Sequence, residues 1–237
     1  MKTAIIGTGN VATRFAEIFD SECVSSRTLE GLPSDADLYI IAVSDSAVKK
    51  VADSLPELPG IVVHTTGSVP LEALGNVRCR GIGVLYPFQT ISKKRPLPAS
   101  SIPLLVEADC EETASWLEKA ARESGFTNVT RSDSDMRRKV HLAGVFVSNF
   151  PNAMVAIAQK ILGDCGIDGA IVNPLLAETV AKLKSLPAKE AQTGPAVRKD
   201  FSTIEKHLTI LDDLSMKEES KVYSVITDFI VNNISTH

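Results

Sequence analysis

The sequence predicts an α/β protein in which an N-terminal, mainly parallel sheet is followed by an all-helical C-terminal domain. Three observations lead there: short apolar runs recur through the first half, helix-periodic stretches separate them, and strand signals stop after about Arg131. Strands alternating with helices argue for parallel pairing through right-handed crossovers.

The runs Ala4–Ile6, Leu38–Val43, Ile61–Val63 and Gly83–Leu85 are continuous and rich in branched residues, the pattern of strands buried on both faces. Helical patterns near 10–20, 45–55 and 70–75 lie between them. A further unit comes next, with Pro103–Val106 as strand, Glu111–Ser124 as helix and Thr127–Thr130 as strand. From Ser134 to Leu162, and again over 168–185, 202–214 and 217–234, apolar residues recur at helical spacing, broken at Pro187, Gly194 and Pro195. Two domains are therefore expected, 1–131 and 132–237. Ser92–Ser101, carrying Lys93, Lys94, Arg95, Pro96 and Pro98, reads as a surface loop.

Composition narrows the partners. Hydrophobic residues make up 44% of the 237 and charged ones 23%, an ordinary globular balance. A net charge of −4 offers no field for a phosphate backbone, so no nucleic-acid partner is expected. Cys23, Cys79, Cys110 and Cys165 are widely spaced with no ligand-like pairing, which predicts reduced thiols, no metal and a cytoplasmic protein. No apolar stretch is read as approaching the roughly 18 residues of a membrane span, so no membrane contact is expected.

Gly7-Thr8-Gly9-Asn10-Val11-Ala12 is G-x-G-x-x-A, set directly after an apolar strand and opening a helix. In that context it is the dinucleotide fingerprint of a Rossmann-type sheet. Gly7 permits the tight turn, Gly9 lets the backbone approach a pyrophosphate, and the helix start offers unpaired N–H groups to its charge. Ala12 takes the close-packing role of the third glycine. An NAD-selective site places an acid roughly 20 residues on. Here the neighbourhood is Ser25-Ser26-Arg27, whose hydroxyls and guanidinium suit a 2′-phosphate, so NADP(H) is the expected cofactor. Between Arg27 and Asp37 there is hardly room for a crossover helix, since parallel strands usually need a dozen or more residues between them.

Ser44-Asp45 and His64-Thr65-Thr66-Gly67 come directly after apolar strands and should reach the carboxyl edge of the sheet, where ligands of such folds bind. Ser44 and Thr66 join Gly7, Thr8, Gly9, Asn10, Val11, Ser26 and Arg27 as the candidate cofactor contacts. Two readings stay open for several of these residues. Ser44 or Asp45 serves equally as an N-cap of the next helix, His64 as a hydrogen-bonded structural histidine, and Tyr86-Pro87 as a rigid strand end.

On the helix beginning at Ser134, His141, Gly144, Ser148 and Asn152 share one narrow face, with Asn149 at its border. Small uncharged polar residues there suit either a desolvated cleft facing the cofactor or a seam between packed helices. Pro151, which lacks an N–H and crowds the Val147 carbonyl, is expected to kink the helix. In the cleft reading His141 is the proton donor, Ser148 or Asn149 orients the reacting oxygen or nitrogen, and His64 lines the same pocket. Asn152 and Arg198 are the candidate substrate contacts. Arg198 either clamps a carboxylate or phosphate, as guanidinium is shaped to do, or ties its loop to Asp200. Ser202-x-x-Glu205 has the form of a capping box at the start of the next helix.

These residues carry a resemblance. Gly7–Ala12, Ala42-Val43-Ser44-Asp45-Ser46-Ala47, His64–Ser68, Tyr86–Thr90, His141–Asn152 and Gln192–Asp200 span nearly the whole chain in the order of a Rossmann-like family whose helical C-terminal domain is of unknown function. That family is similar to deazaflavin-dependent NADP oxidoreductases and more distantly to pyrroline-5-carboxylate reductases and β-hydroxyacid dehydrogenases. The resemblance implies an NADP-dependent oxidoreductase with a small-molecule substrate, and a homodimer, to which the amount of apolar helix in a short second domain adds weight. The β-hydroxyacid dehydrogenases place a catalytic lysine four residues before an asparagine; here Val145 precedes Asn149 and Ser148 precedes Asn152, so a lysine mechanism does not carry over. The expected reaction is hydride transfer to or from a small polar carbonyl, imine or hydroxyl. Two rivals share the glycine loop: a non-catalytic nicotinamide-nucleotide sensor and an S-adenosylmethionine-dependent transferase.

Overall fold

Largely apolar and rich in branched residues, β1 (Thr3–Ile6), β3 (Leu38–Ile41) and β4 (Ile61–His64) are buried at every position, and these three are adjacent in a seven-stranded sheet. The computed structural model describes residues 1–234. The other strands are β2 (Cys23–Val24), β5 (Gly81–Pro87), β6 (Leu104–Ala108) and β7 (Val129–Arg131), in the order β2-β1-β3-β4-β5-β6-β7. Alternation along a strand divides the core in two. Ile5 joins Phe15, Phe19, Leu117 and Phe126 on the face covered by α1 (Asn10–Ile18) and α3 (Glu111–Glu123). Ile6 joins Tyr39, Val48, Val51 and Leu74 on the face covered by α2 (Val48–Asp53) and a single helical turn at Leu71–Leu74.

The sheet is parallel except at one pair. β5 and β6 run antiparallel, with Leu85 opposite Val106. The chain leaves the carboxyl end of β5, travels through the loop expected around Ser92–Ser101 and re-enters from the same end, so no crossover helix is needed. The step from β2 to β3 likewise has no helix among residues 25–37, as the short spacing after Arg27 predicts.

Beyond Arg131 the described residues are helical: α4 (Ser134–Gly144), a π-helical turn (Val145–Asn149), α5 (Phe150–Asp164), α6 (Val172–Ser185), α7 (Ala188–Ala191), α8 (Phe201–Asp213) and α9 (Lys217–Asn233). The chain divides into two compact units after Phe150, later than the boundary read at Arg131. One buried side chain contributes most visibly to that. Arg137 on α4 is fully buried and ion-pairs with Glu107 on β6, donates to the Val69 carbonyl and lies 3.3 Å from Ser134 Oγ, which donates to Glu107 at 2.8 Å. These contacts tie α4 to the sheet. Burial pulls the guanidinium down to about 10, with Arg138 adding to the effect and Glu72 opposing it, so it is still charged at neutral pH.

The π-turn is the finding the helical period did not predict. Pro151 cannot donate to the Val147 carbonyl, and widening the helix by one residue just before it accommodates the missing bond. Taken through this turn, Ser134–Asp164 is a helical run long and apolar enough by length and composition to cross a membrane, contrary to the expectation that no stretch approaches that length.

In the second unit the buried apolar residues are few: Ala196, Ile204, Leu211 and Met216. α8 is capped by Asp200, whose carboxylate accepts from the Thr203 amide at 3.1 Å and the Thr203 hydroxyl at 2.7 Å. The expected cap at Ser202 and Glu205 is therefore corrected: the helix begins one residue earlier, at Phe201, and Ser202 lies inside it.

Replacing Glu107 by Ala strands the buried Arg137 charge and is expected to cost about 3–5 kcal/mol, read as a lower urea midpoint. Glu107→Leu combined with Arg137→Met should recover most of that loss. An unchanged midpoint in the single variant would remove this pair as the anchor of α4.

Candidate active site

The carboxyl ends of β1, β3 and β4 open onto a cleft of about 810 Å³. Gly7 makes it possible: its φ is +136°, and a Cβ there would lie 2.2 Å from the Ala42 carbonyl oxygen, so no side chain fits the turn. A Cβ on Gly9 would instead meet nothing within 4 Å, leaving the open approach that a pyrophosphate requires. α1 begins at Asn10 with no side-chain cap and no acid in its first turn, so its first N–H groups are available to an anion. Thr8, Gly9, Asn10, Val11, Ser26, Arg27, Ser44, Asp45, Lys50, Thr66 and Gly67 line this space, as do Tyr86 and His141. Arg27 and Lys50 give it two cations against the single carboxylate of Asp45.

A second, smaller cavity of about 420 Å³ adjoins α4 and the π-turn. Tyr86 and His141 belong to both cavities. They touch each other: Tyr86 Oη lies 3.0 Å from His141 Nδ1, with the rings edge-on at 5.8 Å. Burial raises the phenol above its ordinary value and Asp45 adds to that, so Tyr86 holds its proton at neutral pH. Gly67 clears the way for the pair, since a Cβ there would sit 2.5 Å from His141 Nδ1.

Comparison with known proteins adds a family. Residues 102–230, more than half the chain, match the domain of unknown function DUF2520. The chain belongs to the DUF2520 family. Over 98% of both chains it is 31% identical to a solved protein from Bacteroides fragilis, a "putative NADP oxidoreductase", with a TM-score of 0.83. A protein from Thermotoga maritima shares 20% identity over 98% of both chains at a TM-score of 0.71. An imine reductase from Myxococcus stipitatus, solved in complex with NADP+, shares 13% identity over 99% of this chain and 96% of its own, at a TM-score of 0.60, and so shares the fold. No curated protein matches.

In this DUF2520 protein the candidate cofactor residues converge. Eight of them line the larger cleft, and Gly7 supports the turn behind it. Ser44 makes no side-chain capping bond, and Asp45 accepts from the Ser68 hydroxyl, so neither serves as the helix cap that the sequence left open. Ser148 and Asn149 line the smaller cavity with His141. Asn149, a border residue on an ideal helix, lies within the π-turn and is a full member of that lining. Asn152 and Arg198, the candidate substrate contacts, belong to the second unit, and both are exposed. Arg198 lies close enough to Asp200 to help hold that carboxyl low, after the Thr203 hydrogen bonds.

His64 lies outside both cavity linings and is fully buried. Its Nδ1 sits 3.2 Å from the Thr66 amide, which donates to it, and 3.3 Å from the Thr66 hydroxyl, so the ring sets the loop that carries Thr66 and Gly67. Sequence reasoning gave no site role to Tyr86, Arg137 or Lys93. The Lys93 ammonium donates to the Thr8 carbonyl at 2.7 Å, and its amide lies 3.4 Å from Asn10 Oδ1, laying the basic loop against the glycine turn. The cluster of Lys93, Lys94 and Arg95 was the available signal.

Burial, with Arg137 adding to it, lowers His64 to about 4. Folding thus disfavours its protonated form: its contribution is complete above the unfolded value near 6.5 and is lost as pH falls from there toward 4. That amounts to roughly 3 kcal/mol across the window. His64→Gln should flatten the acid limb of the stability curve across that window, measured by urea unfolding, and an unaltered limb would place the sensitivity elsewhere.

Proposed function

We propose that this protein is an NADP(H)-dependent oxidoreductase that transfers a hydride to or from a small polar carbonyl, imine or hydroxyl compound. The observation that carries the proposal is the Tyr86–His141 pair, which faces the dinucleotide-shaped cleft on one side and the smaller cavity on the other. The Bacteroides relative and the NADP+-bound Myxococcus enzyme support the choice of cofactor. Gly9 and the start of α1 would hold the pyrophosphate, and Ser26 with Arg27 the 2′-phosphate; the nicotinamide, when bound, supplies or accepts the hydride.

Reduction needs a proton for the oxygen or nitrogen that gains the C=O or C=N electron pair. Tyr86 is placed to give it. With its own proton on Nδ1, His141 donates to the phenol oxygen and leaves the phenol proton free for the substrate. Ser148 and Asn149 orient the reacting group from the π-turn. His64 acts on this chemistry only by setting the Thr66 loop.

We also place two copies in the working protein. α5 and α6 bury no residue at all, and Ile171, Leu175 and Val180 stand exposed. An apolar surface of that extent calls for a covering partner. We assign it to a second chain rather than lipid because the same helical run carries Arg137, ion-paired to the sheet. The free thiols support a cytoplasmic location.

Titration of the purified protein is expected to give NADPH binding at least about tenfold tighter than NADH, with Arg27→Ala erasing most of that preference and Lys93→Ala weakening both. Tyr86→Phe should retain NADPH affinity while lowering turnover on the order of 100-fold. Failure to bind either nucleotide would overturn the reading. Sedimentation should show a dimer, and Leu175→Glu should weaken it; a monomer at micromolar concentration would reject the second copy.

A further inference from the structure

The larger cleft carries charges, whereas the smaller cavity does not. Its walls are Tyr86, Phe88, Gln89, Thr90, His141, Gly144, Val145, Val147, Ser148 and Asn149, with no Lys, Arg, Asp or Glu among the described lining residues. Part of its polar equipment is already engaged. The Gln89 side chain accepts from the Thr90 amide at 2.9 Å and donates to the Ser101 carbonyl at 3.3 Å. That leaves the Thr90 hydroxyl, Ser148, Asn149 and the Tyr86–His141 pair to face a ligand, beside Phe88 and two valines. Tyr86 and His64 both sense two charged groups at this edge, Arg137 and Asp45. Arg137 is turned into the sheet and paired with Glu107, and the sign of Asp45 repels an anion.

From this distribution we infer that the substrate is uncharged where it enters the cavity: a neutral ketone, aldehyde, imine or the matching alcohol or amine, with an apolar body and no carboxylate or phosphate beside the reacting carbon. The inference rests on the oxidoreductase reading and deepens it. A carboxylate brought between Phe88 and Val147 would lose water and find hydroxyl and amide partners but no cation, so the site rejects it. A neutral carbonyl finds a phenol proton donor and an amide, and its body covers the valines. The cavity lies in the size range of small-molecule sites.

The discriminating experiment uses stable probes, two of which are near-isosteric and differ in charge. Calorimetric titration of the NADP-saturated protein would compare 2-pyrrolidone, its 5-carboxamide and its 5-carboxylate. The two neutral lactams should bind at least about tenfold tighter than the carboxylate. Thr90→Lys, which sets a cation on the wall, should raise the ratio of carboxylate to carboxamide affinity at least about tenfold, whatever it does to lactam binding as a whole. Equal or tighter binding of the carboxylate to the unaltered protein would overturn the inference. So would NADP binding with no lactam bound by either form, or a Thr90→Lys variant that discriminates as before. If NADP itself fails to bind, the nicotinamide reading falls, an outcome distinct from a failure of charge selectivity.

Discussion

The ion pair between Arg137 and Glu107 is the constraint on which the site depends. A guanidinium with no exposure to solvent can remain charged only where a carboxylate and backbone carbonyls meet it, and here β6 supplies Glu107 while the loop after β4 supplies the Val69 oxygen. Both lie at fixed positions on the sheet, so α4 has one way to dock. His141 stands one turn further along α4, and that docking brings it to Tyr86 at the end of β5. A helix held only by apolar contacts has more freedom to slide. A charge that must find its partner does not, and the Tyr86–His141 contact inherits that precision.

The approach also needs space. Gly67 lies at the end of β4, next to His141, and any side chain there would occupy the imidazole's place. His64, three residues earlier, shapes the same turn by accepting the Thr66 amide, and it can accept only because burial keeps the ring neutral. The two histidines, both assigned to one pocket in the sequence, thus sit in different surroundings. His64 is sealed in the sheet edge and fixes a loop, while His141 faces the cavities beside a phenol. Burial, not residue type, separates the roles.

The fold was legible for a physical reason. Strands covered on both faces must be apolar at every position, so β1, β3 and β4 stand out as continuous runs, and Gly7 and Gly9 mark the turn after β1. That the candidate cofactor residues gather at one cleft was legible too, because phosphate recognition uses backbone and a few cations at fixed spacing from that turn. The rest was obscured by context. Arg137-Arg138-Lys139 reads as a solvated helix face, and nothing local reveals that the first of the three turns inward. Tyr86, an aromatic residue at a strand end, looks like core until His141 is seen beside it. The ideal helical period left Asn149 at the edge of the polar stripe, whereas the π-turn holds it in the cavity lining beside Ser148.

The pairing of Ser148 with Asn149 stems from one atom missing at Pro151. Without an N–H to offer the Val147 carbonyl, the helix relaxes into a wider turn over Val145–Asn149, and the wider turn presents two successive polar residues, Ser148 and Asn149, to one cavity. A regular helix spaces same-face residues three or four apart and would offer one of them. The proline therefore does more than interrupt a pattern. It converts a single hydrogen-bonding position into a pair, lining the cavity with Tyr86 and His141, and so supplies the uncharged polar wall that distinguishes the smaller cavity from the charged cleft beside it.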